Sequence, residues 1–171
     1  ALKESKANSK PSDNCHYDPN LETGLFGQAS SSQSELRNNQ VGPGDLFLFF
    51  GWFKNYSENG RDLHHIFGWL QIDKIIDGNE AIQKYFKNKK KMHPHAFYKF
   101  NNNCLYVGSK KLALGNKTSH KGFGHFKKTH KDLILTKDQA TRSVWQLPKK
   151  YFANSDPFLN RLKWVDKKEC I

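Results

Sequence analysis

The stretch Val41-Gly42-Pro43-Gly44-Asp45-Leu46-Phe47-Leu48-Phe49-Phe50-Gly51-Trp52-Phe53 decides the fold. Val41 to Asp45 is a turn: glycine frees the backbone, proline presets φ, and an aspartate side chain bonds back to nearby amides. The residues that follow are aromatic-rich and bounded by turn signals, which reads as a β-strand. Leu46, Leu48, Phe50 and Trp52 share one face, and Phe47, Phe49 and Phe53 the other. A strand apolar on both faces predicts cover on both sides, as in a barrel wall with a helix packed outside.

On the C-terminal side, the polar loop Lys54 to Asp62 leads into a second strand, Leu63 to Ile76, so the two read as a long hairpin. Gly68 inside that strand predicts a bulge, or close approach by a backbone or ligand. Asn79 to Lys91 reads as a helix with Ala81, Ile82, Tyr85 and Phe86 as its apolar stripe. A third strand spans Asn103 to Ser109. A basic, Gly- and His-rich loop follows from Lys110 to Lys131, then the short apolar run Leu133 to Thr136. A strand at Ser143 to Leu147 is stopped by Pro148, and a short helix is expected from Phe158 to Val165.

On the N-terminal side, Ser30 to Gln40 reads as a short helix with a serine N-cap. Leu21 to Phe26 is a short apolar patch. Residues 1–20 read as an irregular segment, and 21–171 as a single domain, expected to be a fragment of a longer chain. The fold class is α+β: a partly closed, mostly antiparallel β-barrel of about five or six strands, with short helices packed outside.

Composition narrows the function. Aromatics make up 13% of the chain, so much of the core is Phe, Trp and Tyr. Twenty-eight Lys and Arg against 16 Asp and Glu give a net charge of +12, the electrostatic footprint of a polyanion binder. The expected partner is nucleic acid, DNA ahead of RNA. Lysine outnumbers arginine, which favours backbone contacts over bidentate base reading. Cys15, Cys104 and Cys170 lack CxxC spacing, so a reducing, cytoplasmic location is expected rather than a disulfide framework. No run of 18 apolar residues predicts a membrane span.

The chemistry-bearing groups fall into three sets. Gly51-Trp52-Phe53 and Gly68-Trp69 place glycine gaps beside aromatic rings, which is what a stacked, flipped base requires. His93 and His95 flank Pro94 and, with Asn103, are candidates to hydrogen-bond the base edge. Lys87, Lys89, Lys90 and Lys91, with Lys127 and Lys128, are candidate phosphate contacts. No GxGxxG, P-loop, GxSxG, HExxH or CxxC motif is present, so no cofactor and no metal is expected. Cys104 lies inside an apolar strand, where an inert buried thiol is the default, and no catalytic residue is assigned.

The Gly-Asp turn into Leu46-Phe47-Leu48-Phe49-Phe50, then Ile66-Phe67-Gly68-Trp69-Leu70-Gln71-Ile72, resembles the EVE and wider PUA-like strand pattern. Further pieces extend the likeness: Cys15-His16-Tyr17-Asp18-Pro19, His93-Pro94-His95, Asn103-Cys104-Leu105-Tyr106-Val107, Gly122-Phe123-Gly124-His125-Phe126 and Arg142-Ser143-Val144-Trp145-Gln146-Leu147-Pro148. Together they resemble the third of the nucleotide modification associated domain families. The resemblance implies association with systems that modify nucleic-acid bases, and modification enzymes as further partners. It carries no catalytic residue with it. The leading expectation is recognition of a modified or flipped base. The alternatives are an enzyme of base modification built around His93, His95 and His125, and a protein-interaction module of a modification complex.

Overall fold

The structure is a computed structural model; it describes residues 17–54, 60–114, 116, 117, 119–147, 164–166, 169 and 170. In chain order the elements are β1 (Leu25–Gln28), α1 (Ser30–Asn38), β2 (Leu46–Phe53), β3 (Leu63–Asp77), α2 (Asn79–Phe86), α3 (Pro94–Phe97) and β4 (Cys104–Gly108). They continue with β5 (Ala113–Leu114), β6 (Asn116–Lys117), β7 (Phe123–His125), a 3-10 turn at Lys131–Leu133, β8 (Trp145–Gln146), β9 (Trp164–Asp166) and β10 (Glu169–Cys170).

The turn before β2 forms as its residues dictate. Gly44 takes a positive φ of 97°, and the Asp45 carboxylate accepts from the Gly42 N–H at 2.8 Å. β2 then pairs with β3 in an antiparallel hairpin, with a bulge where Phe67 of β3 is left between Gly68 and Ile66. β3 is long enough to serve two partners: its first half pairs with β2, its second half with β4, and Gly68 to Leu70 also pair with β7. The main sheet runs β1-β4-β3-β2, with β7 added on β3.

This sheet curls into a half-barrel. β1 and β2 stand at opposite ends of the strand order, yet Phe26 of β1 lies 5.1 Å from Phe47 and 5.0 Å from Phe49 of β2, ring centre to ring centre. The rings close the inner face around Leu70, Ile72, Cys104 and Tyr106. α1 plugs this inner side: Leu36 joins the cluster, and buried Gln33 accepts from the Tyr106 hydroxyl at 3.0 Å. On the outer face Leu25 and Leu105 pack against Ile82 and Phe86 of α2 and Ala96 of α3. A smaller cluster, Leu135, Trp145 and Leu147, packs against Ile66.

Several expectations are corrected. The helix predicted to Lys91 stops at Phe86, because beyond Phe86 the sequence offers only Asn and Lys, which bury nothing and repel one another. α1 packs on the inner face, not outside, and Ala29 rather than a serine is its N-cap. The outer face of β2, expected to be covered, is open: α2 and α3 lie over β1, β4 and the far half of β3, while Leu48, Phe50 and Trp52 stay exposed. Residues 164–166 form strand rather than helix, and residues 158–163 and 1–16 lie outside the described residues. β1, α3 and β7 arise where only an apolar patch, a His-Pro-His motif and a loop were legible. No helix among the described residues is long and apolar enough to cross a membrane.

Candidate functional site

Pro94 starts α3 at a position where its ring presets φ and no amide hydrogen is missed. This one turn carries His95 and Ala96 inward, and His93 caps it by accepting the His95 N–H at its Nδ1, 3.4 Å away. The His95 ring lies flat on β1 at Gly27, where a Cβ would sit 2.3 Å from its Cδ2. Only glycine at 27 admits the imidazole.

Asp18 faces both rings. Its Oδ1 is 3.4 Å from His93 Nε2 and its Oδ2 is 3.3 Å from His95 Nε2, with the Asp18 side chain only 9% exposed. The Gly27 N–H donates to both oxygens, at 3.0 and 3.2 Å. His93 Nε2 is poorly aligned for a hydrogen bond and is buried without a directed partner.

Protonation follows from a chain anchored on backbone groups. The Phe100 N–H donates to Asn79 Oδ1, and Asn79 Nδ2 donates to the Phe100 carbonyl, which fixes that amide. Asn103 Nδ2 therefore donates to Asn79 Oδ1 and to the His95 carbonyl, leaving Asn103 Oδ1 as acceptor for His95 Nδ1–H at 2.6 Å. Nδ1 carries a proton, so a neutral His95 would turn the bare lone pair of Nε2 toward a carboxylate. The stable state is imidazolium against carboxylate. Burial alone would lower the pKa of His95; hydrogen bonds to Asp18 and Asn103 outweigh it and raise the pKa. Burial likewise opposes ionisation of Asp18, but His93, His95 and the Gly27 N–H outweigh it and hold the carboxyl down at about 2.

Beside this pair opens a shallow cleft of about 420 Å³, lined by Asp18, His95, Phe100 and residues 26–30. Its size falls in the range of small-ligand pockets. It can offer the Phe100 ring and a buried ion pair to a planar ligand.

The predicted site residues separate into groups. His95 lines the cleft, whereas Asn103 and His93, 1% and 2% exposed, stand behind it and set its protonation and tilt. Trp52 and Trp69 lie on the outer face of the hairpin. Trp52 is 55% exposed under the Arg142 guanidinium, while Trp69 donates its Nε1–H to the Lys121 carbonyl at 3.0 Å and packs on Phe126. Gly51 and Phe53 sit on the inner face near Phe67. Gly68 pairs with Phe49 rather than Gly51, and its gap is filled by Leu21 and the Gly124 carbonyl. The close approach predicted at Gly68 is made by the chain itself.

Lys87, Lys90 and Lys91 are exposed just beyond α2, and Lys89 lies 3.5 Å from the Tyr85 ring centre. Lys127 and Lys128 are exposed after β7. Among the described residues no group of three or more His, Cys, Asp or Glu is arranged to hold a metal ion. Cys104 is buried, and burial pushes its thiol up to about 11, as an inert cysteine should be. Asp18, Gly27, Asn79 and Phe100 were not singled out from sequence. Asp18 meets His93 and His95 across more than seventy residues of chain, and no local pattern links them.

The fold and site define a basic α+β half-barrel with a buried ion pair at the wall of a cleft. The chain belongs to the nucleotide modification associated domain 3 family, whose model matches residues 1–169. It matches no curated protein and no solved structure. The family's description ties the chain to nucleotide modification.

Proposed function

We propose that the domain binds nucleic acid and reads a single extruded base in the cleft beside His95, discriminating modified from unmodified bases. The observation that carries this reading is the cleft itself. Phe100 supplies an aromatic wall, and base–aromatic stacking contributes roughly 1–3 kcal/mol per base. Asp18 and His95 set a fixed ion pair into one wall, beside which the edge of the base would lie. A net charge of +12 supplies the sequence-independent attraction to phosphate. Lys87, Lys89, Lys90, Lys91, Lys127 and Lys128 are the cations assigned to it.

The half-barrel is read as PUA- or EVE-like in this proposal, on the order of its parts: α1 leads through the Gly42–Asp45 turn into β2, and β3 carries an internal glycine. The proposed setting is a DNA-modification system in which the domain finds the base and a partner enzyme acts on it. One observation favours a second reading, an enzyme: the His95 imidazolium at the cleft wall is an acid held in place by Asp18. Mass spectrometry of DNA after incubation separates the two, because only an enzyme leaves the bases altered.

The test is a salt titration of binding to DNA and RNA oligonucleotides with and without modified bases. The expected result is affinity that falls steeply with salt and differs between modified and plain bases, with His95→Gln abolishing that difference. Equal affinity for every base would sink the reader, and no binding at low salt would sink nucleic-acid recognition altogether.

A further inference from the structure

The outer face of the β2–β3 hairpin carries large apolar side chains that the fold leaves uncovered. Leu48, Phe50 and Trp52 are 48%, 39% and 55% exposed. They occupy alternate positions of β2, so neighbours stand about 6.7 Å apart. Opposite Leu48 is Trp69, whose ring centre lies 4.9 Å from that of Phe126, itself 40% exposed.

Cations accompany the rings. The Arg142 guanidinium lies 3.9 Å from the Trp52 ring centre, and Lys127 and Lys128 directly follow Phe126. Below the rings the floor is firm: Phe50 packs edge-on against Trp145 at 4.7 Å, and the Trp145 Nε1–H donates to His64 Nδ1 at 2.8 Å.

We infer that this face is a stacking surface for a single strand of nucleic acid, with bases laid on Phe50, Trp52 and Phe126 and phosphates met by Arg142, Lys127 and Lys128. The inference rests on the nucleic-acid reading above and adds a second surface, separate from the cleft. A duplex hides the faces of its bases in its own stack, so rings on an open sheet can engage only an unpaired strand. Protein–protein interfaces are enriched in aromatics and arginine but depleted in lysine, whereas here Lys127 and Lys128, both exposed, directly follow Phe126. Such a surface would hold the nucleotides flanking the base that enters the cleft.

The experiment measures binding of the full chain to labelled, unmodified single-stranded and duplex oligonucleotides, and to vesicles of phosphatidylserine and phosphatidylcholine. Single strands are expected to bind more tightly than duplex. Trp52→Ala is expected to lower single-strand affinity about tenfold and Trp52→Phe to restore most of it, because stacking needs a ring rather than an indole N–H. Phe126→Ala is expected to act in the same direction. Unchanged single-strand binding in both alanine variants overturns the stacking surface while leaving base reading intact. Trp52→Phe binding as poorly as Trp52→Ala overturns it as well. Wild-type protein that binds no oligonucleotide overturns both proposals, and attachment to the vesicles instead assigns the face to a membrane.

Discussion

At the scale of single residues the site turns on one ion pair whose charges have opposite pH dependence. The folded pKa of Asp18, about 2, lies below its ordinary 3.8. Ionised Asp18 therefore contributes stability that is fully present above pH 4 and is lost as the pH falls through 2, worth about 2 kcal/mol. His95, with its pKa raised above 6.5, contributes stability that is fully present below 6.5 and is lost as the pH rises through its folded value. Asp18→Asn is thus expected to cost about 2 kcal/mol near pH 5.5 in urea unfolding. The difference from wild type should narrow toward pH 2 and again at alkaline pH, and a gap that ignores pH would mean the charges do not interact. Gly27→Ala tests the same site by volume. Its Cβ would meet the His95 ring at 2.3 Å, and the ring is pinned by Asn103 and Asp18. Overpacking of this kind costs about 2 kcal/mol, and the displaced imidazole should lose base discrimination. Little of this was legible in the sequence. His93, His95 and Asn103 stood out as a His-Pro-His motif near a strand start, but Asp18 is more than seventy residues away from His93 and nothing in its local pattern announces a partner.

At the scale of elements, β3 organises the domain because it is the strand shared by β2, β4 and β7. β4 is bonded on both sides, to β1 and β3, whereas only β3 pairs with β2 among the described residues. Amide hydrogen exchange should therefore be slowest at Leu105, Tyr106 and Val107 and markedly faster along Phe47 to Phe53. Comparable protection in both strands would imply that something else pairs with the edge of β2. α2 depends on Ile82, which is 0% exposed, and Ile82→Ala is expected to cost about 3 kcal/mol by the cavity it leaves, read by chemical denaturation. The hairpin strands and α1 were legible because their signals are local: period-two aromatics, a Gly-Asp turn and a polar loop. β1 and β7 were not. Four and three residues long, they are strands only because β4 and β3 offer them an edge. Cover on both faces of β2 was also misjudged, since the same apolar alternation serves a buried wall and an exposed binding face.

At the scale of the whole molecule, a charge of +12 predicts salt-dependent binding to nucleic acid, but not every lysine contributes equally. α2 ends just before Lys87, where the negative end of the helix dipole already attracts cations, and Lys89 is engaged with the Tyr85 ring. Lys127 and Lys128 follow β7, whose partner strand β3 carries Trp69 on the open face of the hairpin. Each phosphate contact removed from a single-strand complex should flatten the slope of log affinity against log salt by about 0.7. The double variant Lys127→Ala with Lys128→Ala is therefore expected to reduce the slope by about 1.4, and Lys89→Ala with Lys90→Ala by less. The opposite order would place the strand along α2 rather than across the hairpin. Equal and small effects would mean that the attraction comes from the diffuse positive field of the domain, with no fixed path for the phosphates.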